Sequence, residues 1–304
     1  MAKRRKKKSN NTFFRVLLVV LFLCYGFYLN QLDGTYSSDK TIDTFNEVST
    51  DLRVSYLDVG QADSILIENN GEVMLIDAGN NDDGELLVKY FKQKEIKEFK
   101  YLVGTHPHED HIGGLDDVIN NFDIGTIYMP DVITTTKTFV DVLDAIEAKN
   151  LSLSVPKIQE VFKVGEATIE VLYTGVDVKD LNNASIVLRL VFGKTSFLFT
   201  GDATEKSEEE ILRSGLNLKA DVLKVGHHGS KYSTSNDFLN MVNPRYAVIS
   251  VGTGNSYKHP ESETINKLND KNIEIHRTDL EGSIIVVSDG ENIEISNIKT
   301  DTNG

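Results

Sequence analysis

Three histidines and two acidic residues stand within six consecutive positions of this sequence. The run is His106-Pro107-His108-Glu109-Asp110-His111, directly after the apolar stretch 101–104. The pair His227-His228 brings five of the seven histidines into two short runs. Neutral imidazoles and ionised carboxylates bind Zn²⁺ and similar first-row cations, so the two runs together could hold two ions. Because a polar loop after a buried strand is where binding residues usually lie, the sequence predicts a metal site here.

The elements that must position these residues begin as strands and continue as alternating helices and strands. Apolar alternation and turn residues predict strands and helices in this order: strands 52–59, 64–68 and 73–76; helix 85–94; a strand at 101; helix 112–122; strand 126–129; helix 139–149; strands 158–162, 167–172, 185–192 and 195–200; helix, strand, helix, strand and helix over 203–271; strands 273–276, 283–287 and 293–295. Two blocks of strands followed by helices predict an α+β fold in which two sheets pack on each other with helices outside.

Composition places the main part of the chain among globular proteins. Of its 304 residues, 40% are hydrophobic and 26% are charged, as is usual for a folded domain. The single cysteine, Cys24, excludes an intramolecular disulfide framework. No region rich in proline and glycine interrupts residues 51–298, which we interpret as one domain followed by a tail at 299–304.

The N-terminal segment differs from the rest of the chain. Its first fifteen residues carry seven lysines and arginines and no acid, and the next charged residue after Arg15 is Asp33. An apolar span behind a basic flank predicts a cytoplasmic leader at 1–12, a transmembrane signal-anchor at 13–32, a linker at 33–50 and a catalytic domain outside the membrane. The alternative is a cleaved signal peptide. It is disfavoured because residues 25–30 offer no cleavage site of small residues, and because Leu23 before Cys24 does not fit a lipoprotein processing site.

The charge of the chain bears on its partners. The formal net charge is −14, and because the leader is basic, the remainder is more acidic still. Such a body repels polyanions at long range, which argues against tight non-specific binding of nucleic acid. Local contact of a metal site with one phosphate is compatible with this charge.

The sequence resembles the metallo-β-lactamase superfamily, whose HxHxDH motif matches His106, His108, Asp110 and His111. Further matches follow in the family's order: a strand-end aspartate at Asp77, the TGD run at 200–202 and the last metal-binding histidine segment at 225–230. A narrower resemblance, to the hydrolase domain of ComEC-type competence proteins, is carried by YLDVGQAD at 56–63, NNAS at 182–185, NSYKHP at 255–260 and RTDLEG at 277–282. The resemblance implies an αββα sandwich with the metal site at the sheet edges.

The resemblance also implies a set of metal ligands. Two divalent ions, Zn²⁺ or Mn²⁺, would be bound as follows: the first by His106 and His108, the second by Asp110, His111 and His227, and both by a bridging Asp202. Asp77 would accept a hydrogen bond that fixes the tautomer of a ligand imidazole. His228 could be either such a partner or a ligand.

One feature departs from the family's usual pattern. Typical members have another metal-binding histidine between the HxHxDH and TGD motifs, whereas this chain has no histidine from 112 to 226. Asn183 or Ser185 occupies that region, as in the ComEC-type pattern. Because an amide or hydroxyl oxygen is a weaker ligand than imidazole, we expect the first ion to be labile or to be a harder ion such as Mn²⁺.

The expected chemistry is hydrolysis of a phosphodiester. Two cations close together lower the pKa of a shared water and stabilise charge on the phosphorus-centred transition state. Asp110 would act at the ions, and His259 is the candidate that protonates the leaving oxygen or contacts the substrate. Single-stranded DNA is one candidate substrate, and the cytoplasmic membrane and other competence or cell-surface proteins are candidate partners. The alternatives are a surface hydrolase of another phosphodiester, such as cell-wall phosphocholine, and a non-catalytic metal-binding partner module.

Overall fold

The computed structural model of the chain describes residues 50–299. The predicted leader at 1–12 and signal-anchor at 13–32 lie outside these residues, as does the linker apart from its last residue. Within 50–299, none of the helices combines the length and the apolar character that crossing a membrane requires.

The described residues form two β-sheets and eight α-helices. The strands are β1 (Leu52–Tyr56), β2 (Ser64–Asn69), β3 (Glu72–Ala78), β4 (Glu98–Val103), β5 (Asp123–Tyr128), β6 (Leu153–Ser154), β7 (Val161–Val164), β8 (Ala167–Tyr173), β9 (Val187–Phe192), β10 (Thr195–Phe199), β11 (Val222–Lys224), β12 (Tyr246–Ile249), β13 (Glu274–Arg277), β14 (Ser283–Ser288) and β15 (Ile293–Ile298). The helices are α1 (Gly84–Gln93), α2 (Glu109–Ile112), α3 (Leu115–Asn121), α4 (Lys137–Ala148), α5 (Glu205–Ser214), α6 (Asn236–Val242), α7 (Ser262–Asp270) and α8 (Thr278–Glu281). The first sheet has the order β15-β14-β1-β2-β3-β4-β5-β6, and the second has the order β13-β12-β11-β10-β9-β8-β7.

The two sheets pack face to face, and helices cover their outer faces. Between the sheets, apolar residues of both strand sets form one core, in which the rings of Tyr56 and Phe199 lie 6.3 Å apart. Phe91 of α1 and Val118 of α3 pack on the outer face of the first sheet. Helices α5, α6 and α7 bury apolar side chains on the second sheet. This four-layer arrangement confirms the predicted αββα sandwich.

Parallel strands in each sheet bring the predicted site residues to one edge. In the first sheet β3, β4, β5 and β6 are parallel, and in the second sheet β10, β11, β12 and β13 are parallel. The carboxyl ends of parallel strands meet at the same edge of a sheet. The loops after β3, β4, β10 and β11, which carry the motif residues, therefore converge.

The single helix predicted over 112–122 is wrong, because the structure has two short helices there. Gly113 and Gly114 separate α2 from α3. The backbone N–H of Gly113 donates to the carbonyl of Gly79 over 2.9 Å, and a Cβ atom on Gly113 would lie 2.2 Å from the carbonyl carbon of Asn80. Only a residue without a side chain allows α2, which carries the histidine motif, to pack this closely against the loop after β3.

Two predicted strands begin later than expected. The strand predicted over 158–162 starts at Val161, because Gln159 has a φ of 66° and belongs to a turn. The strand predicted over 185–192 starts at Val187, because residues 181–184 form a turn of 3₁₀ helix. At the second position a local bond replaces the ladder, since the N–H of Ser185 donates to the carbonyl of Asn182.

We expect Gly113→Ala to lower the free energy of unfolding by about 1–3 kcal/mol, since the added methyl group overlaps backbone atoms that cannot move freely. The control is Gly215→Ala, where φ is +70°, unlike the helical φ of −58° at Gly113, but no atom lies within 4 Å of the new methyl group. That variant should lose only about 1 kcal/mol from its left-handed backbone. Chemical denaturation measures both, and a loss at 113 no larger than at 215 would contradict the packing argument.

Candidate metal centre

His111 lies at the centre of the site and is completely buried. Its Nδ1 lies 2.8 Å from Asp77 Oδ2, and Asp77 also accepts hydrogen bonds from the backbone N–H and the hydroxyl of Thr105. Because a carboxylate faces Nδ1, that nitrogen keeps its proton in the neutral ring, and Nε2 is the nitrogen that could bind an ion. His111 Nε2 lies 3.2 Å from Asp202 Oδ1. Asp77 thus makes the contact expected of a residue that fixes the tautomer of a ligand histidine.

Four side chains form a compact group of possible metal ligands. Asp110, His111, Asp202 and His228 each offer one ligand atom, and these atoms all lie within 4.8 Å of one another. His228 Nε2 lies 3.3 Å from Asp110 Oδ2, and its Nδ1 donates to the backbone carbonyl of Ser250 over 2.9 Å. The Nε2 atoms of both histidines therefore point at carboxylates.

This geometry fits a divalent ion. His111 Nε2, His228 Nε2 and Asp202 Oδ1 are buried and have no hydrogen-bond partner. Each buried polar atom without a partner carries the cost of its lost hydration. A cation among these atoms would satisfy all of them, and their chemistry is the N and O donor set that Zn²⁺ and Mn²⁺ accept.

His106 and His108 form a second, smaller group beside the first. His106 Nε2 lies 3.0 Å from His108 Nδ1 and 3.9 Å from Asp202 Oδ2. On the other edge of the ring, His106 Nδ1 lies 3.4 Å from the hydroxyl of Ser185, which also accepts the backbone N–H of Asp202. Ser185 therefore holds His106 and Asp202 in place from the side away from the donors. Asp202 faces both groups, as expected of a bridging ligand.

Asn183, the other expected oxygen ligand, does not lie in either group. Its Oδ1 accepts hydrogen bonds from the hydroxyls of Thr204 and Ser207, and its Nδ2 donates to Asp180 over 3.1 Å. Since the amide oxygen already has two donors, it is not available to an ion. The structure corrects the expected role of Asn183, which instead holds the first turn of α5 against the loop before β9.

The structure also distinguishes His227 from His228. The sequence assigned His227 to the second ion and left His228 open, but it is His228 that lies in the four-donor group. His227 has a side chain 27% exposed and approaches Asp202 Oδ2 to 3.7 Å from the side of the solvent. Both residues have left-handed backbone, with φ of 50° and 53°. Such conformations are uncommon outside glycine and are typical of functional sites.

The charges of the metal-free centre follow from burial and from the nearby carboxylates. Burial alone would lower the pKa of His111, but the carboxylates of Asp202, Asp77 and Asp110 raise it well above its usual value. Burial and the neighbouring His111 hold the pKa of His106 well below its usual value. Burial alone would raise the pKa of Asp202, but His111 and His228 hold it well below its usual value. Protons on the imidazoles thus balance the carboxylates where an ion would otherwise do so.

A cleft of roughly 320 Å³ opens onto this centre. Its lining residues are Gln61, His108, Glu109, Asp110, Asp202, His227, His228, Tyr257 and His259. Asn255 clamps the backbone of His259 through one bond to its N–H and one to its carbonyl. The His259 ring stacks on Tyr257 at 5.8 Å and lies 5.7 Å from the ring of His227. Burial, followed by the charge of His227, lowers the pKa of His259, which makes its protonated ring a stronger acid.

Sequence reasoning missed two buried charged residues behind the centre. Asp63 and Lys224 form an ion pair at 2.6 Å, and neither is more than 1% exposed. Asp63 was noted only as part of the YLDVGQAD motif. The pattern that could have indicated Lys224 is a lysine in the apolar run 222–225, where a solvated charge is not expected.

We expect the protein to hold one divalent ion tightly in the four-donor group and a second more weakly at His106 and His108. His228→Ala should then lower the affinity of the tighter site by at least about tenfold. Residues that only hold a metal ligand in place already contribute about that much, and a ligand should contribute no less. His227→Ala is the matched control and should retain that ion, because its imidazole stands at the cleft. Elemental analysis after graded chelation measures both, and loss of the tight ion from His227→Ala alone would show that the adjacent histidine is the ligand.

Comparison with known proteins places this geometry in a family. The family model for the metallo-beta-lactamase superfamily matches residues 57–253. Among curated relatives, ComE operon protein 3 of Bacillus subtilis (strain 168) is 31% identical over 257 residues, which are 78% of this chain and 33% of that protein. Competence protein ComA of Neisseria gonorrhoeae is 31% identical over 238 residues, which are 76% of this chain and 31% of that protein. The chain therefore spans about a third of the length of these relatives.

Solved structures show the same fold at low sequence identity. The metallo-beta-lactamase fold protein YhfI from Bacillus subtilis aligns with a TM-score of 0.50 and 13% identity, covering 81% of this chain and all of that chain. A metallo hydrolase from Ignicoccus hospitalis aligns with a TM-score of 0.51 and 13% identity, covering 82% of this chain and all of that chain. From the matched family model, the curated relatives and the shared fold, this chain belongs to the metallo-beta-lactamase superfamily and is related to competence proteins.

Proposed function

We propose that this chain is a membrane-anchored, extracytoplasmic phosphodiesterase that acts with two divalent ions, Zn²⁺ or Mn²⁺. Membership of the superfamily supports a metal-dependent hydrolase. The observation that carries the proposal is the group of buried, unpartnered donors on Asp202, His111 and His228 at the base of an open cleft. A purely structural metal site would be closed on all sides, whereas a catalytic one keeps access for water and substrate.

The residues of the centre have separate tasks in this proposal. When bound, the ions would activate a water molecule and stabilise the negative charge that develops on the phosphoryl oxygens. Asp110, His111, His228 and Asp202 would hold one ion, and His106 and His108 with Asp202 would hold the other. Asp77 and Ser185 orient His111 and His106 through the ring nitrogens that face away from the ions. His259 and Tyr257 line the cleft where the departing group of a substrate would lie.

Two classes of phosphodiester fit this centre. The relatives named as competence proteins favour nucleic acid, with single-stranded DNA as the first substrate to test. The net charge of −14 favours a smaller phosphodiester instead, such as the phosphocholine of cell-wall polymers, because an acidic surface repels a long polyanion. Association with other competence or cell-surface proteins is part of the first possibility.

Full-length protein in detergent should hydrolyse single-stranded DNA, bis(p-nitrophenyl) phosphate or p-nitrophenylphosphocholine in the presence of Zn²⁺ or Mn²⁺. We expect Asp202→Ala and His108→Ala to lower turnover by more than about tenfold with little change in thermal midpoint, because these side chains serve the ions more than the core. Turnover and midpoint are measured on the same preparations. Hydrolysis of the phosphocholine substrate alone would favour the second class, and activity of either variant within tenfold of the parent would contradict the proposed site.

His259→Ala should lower the rate on substrates with poor leaving groups far more than on activated ones. An alkoxide that leaves phosphorus needs a proton, and a positioned donor typically contributes about 10²–10⁴ in rate. A nitrophenolate leaves without that help. The comparison uses a dinucleotide and bis(p-nitrophenyl) phosphate with the same ion, and Tyr257→Phe is the matched control in the cleft. Equal losses on both substrates would assign His259 to binding or structure.

Membrane location is the last part of the proposal, and it depends on residues 13–32. With the basic leader inside, protease added to intact cells should degrade the domain formed by 51–298. Immunodetection of the domain before and after treatment, with a cytoplasmic protein as the control, measures this. Complete protection of the domain would show that the orientation is wrong.

A further inference from the structure

The ion pair of Asp63 and Lys224 joins the two halves of the sandwich directly behind the metal centre. Asp63 stands in the loop between β1 and β2 of the first sheet, and Lys224 is the last residue of β11 in the second sheet. Lys224 Nζ lies 2.6 Å from Asp63 Oδ2. Strand alternation places Lys224 on the same face as Val222, which packs in the core between the sheets. The pair therefore crosses from one sheet to the other.

Each partner is fixed to its own half of the centre through the backbone. The N–H of Asp63 donates to the carbonyl of Asp110, and its carbonyl accepts from Gly79. On the other side, the carbonyl of Lys224 accepts the hydroxyl of Thr200, two residues before Asp202. Asp110 and Asp202 belong to the four-donor group, so the pair links the backbone segments that carry donors from both sheets.

The pair also lies near the two histidines of the four-donor group, which come from opposite halves of the sandwich. Asp63 Oδ1 is 3.4 Å from His228 Nδ1, and Asp63 Oδ2 is 4.0 Å from His111 Nδ1. Both rings meet Asp63 with the nitrogen that faces away from the donors. Neither ring relies on Asp63 for its hydrogen bond, because His228 Nδ1 bonds Ser250 and His111 Nδ1 bonds Asp77. Asp63 thus touches both rings without setting either tautomer.

The fold itself does not require a charged pair at this place. The neighbours Val222, Leu223 and Val225 are apolar and completely buried. Replacing a buried ion pair by apolar residues of similar size is often neutral or stabilising, so stability alone is a weak reason for a lysine here. The best-attested benefit of a buried ion pair is that it selects one arrangement of the surrounding elements.

From these contacts we propose that Asp63 and Lys224 are positioning residues that set the distance between His111 and His228, and thereby the affinity of the four-donor group for its ion. The inference rests on the metal centre of the proposed function but not on the identity of its substrate. If the parent protein binds ions but hydrolyses none of the tested substrates, the positioning role of the pair is unaffected. If the parent binds no ion, both the positioning role and the proposed function are wrong.

The test measures metal affinity and ligand geometry together with stability. Full-length parent and variants are titrated with Zn²⁺ against a chelating indicator, and with Co²⁺ to record its visible spectrum. Lys224→Met leaves Asp63 buried without a partner and should weaken Zn²⁺ binding by at least about tenfold. Loss of a residue that holds a metal ligand in place typically lowers metal affinity by about 10–100-fold. The double variant Asp63→Asn with Lys224→Met contains no unpaired charge and should regain thermal midpoint. We expect its Zn²⁺ affinity to stay at least about tenfold below the parent, with an altered Co²⁺ spectrum.

The matched control is Thr195→Val. The hydroxyl of Thr195 bonds Ser288 over 2.7 Å and also joins the two sheets, but at the opposite end of β10 from Asp202. We expect its Zn²⁺ affinity to stay within about threefold of the parent, since only the partners of metal ligands change affinity by more. Parental affinity and a parental Co²⁺ spectrum in the double variant would overturn the proposal and leave the pair with a role in the fold only. The double variant decides between these outcomes, so the test remains valid even if Lys224→Met does not fold.

Discussion

A single buried carboxylate, that of Asp202, organises the centre. Its side chain is 2% exposed, and imidazoles from both halves of the sandwich surround it: His111 at 3.2 Å, His227 and His228 at 3.7 Å and His106 at 3.9 Å. An ionised carboxylate in such a place is costly unless positive charge accompanies it. In the metal-free centre the protonated imidazoles of His111 and His228 provide that charge, and a divalent ion would replace their protons.

The backbone accepts strain at the points where strands turn into the centre. Asp77, His227 and His228 have φ of 59°, 50° and 53° in a conformation that side chains other than glycine seldom adopt. Each costs on the order of 1–3 kcal/mol and persists only because the surroundings determine it. At Asp77 the surroundings are Thr105 and His111, and at His228 they include the carbonyl of Ser250. Core packing elsewhere in the sandwich therefore supports a loop geometry that serves the site.

The fold and the motif residues could be predicted because they depend on local pattern. Alternating strands and the order of strands and helices lie within short segments and predicted two packed sheets with helices outside. The αββα sandwich was implied by the resemblance that the HxHxDH motif and its companions carry. The choice between His227 and His228 could not be made, because two adjacent residues in a left-handed turn point in directions that spacing does not determine. Asn183 was misplaced because its partner Thr204 lies 21 residues further along the chain. Asp63 and Lys224 were missed for the same reason, since only the packing of the two sheets brings them together.

Charge connects the centre to the rest of the molecule. The cleft is lined by the carboxylates of Glu109, Asp110 and Asp202, and the chain as a whole is acidic. Without ions such a cleft repels a phosphodiester, whereas bound cations become the largest local charges and reverse the sign of the field at that point. Bound ions would therefore favour the binding of an anionic substrate. The reversal acts over a short range, because the surrounding acidic surface is unchanged and salt screens exposed charges beyond about 8–10 Å. For the phosphodiesterase that we propose, a phosphodiester presented singly, in a small molecule or at the end of a strand, would suit this field better than the middle of a long polyanion.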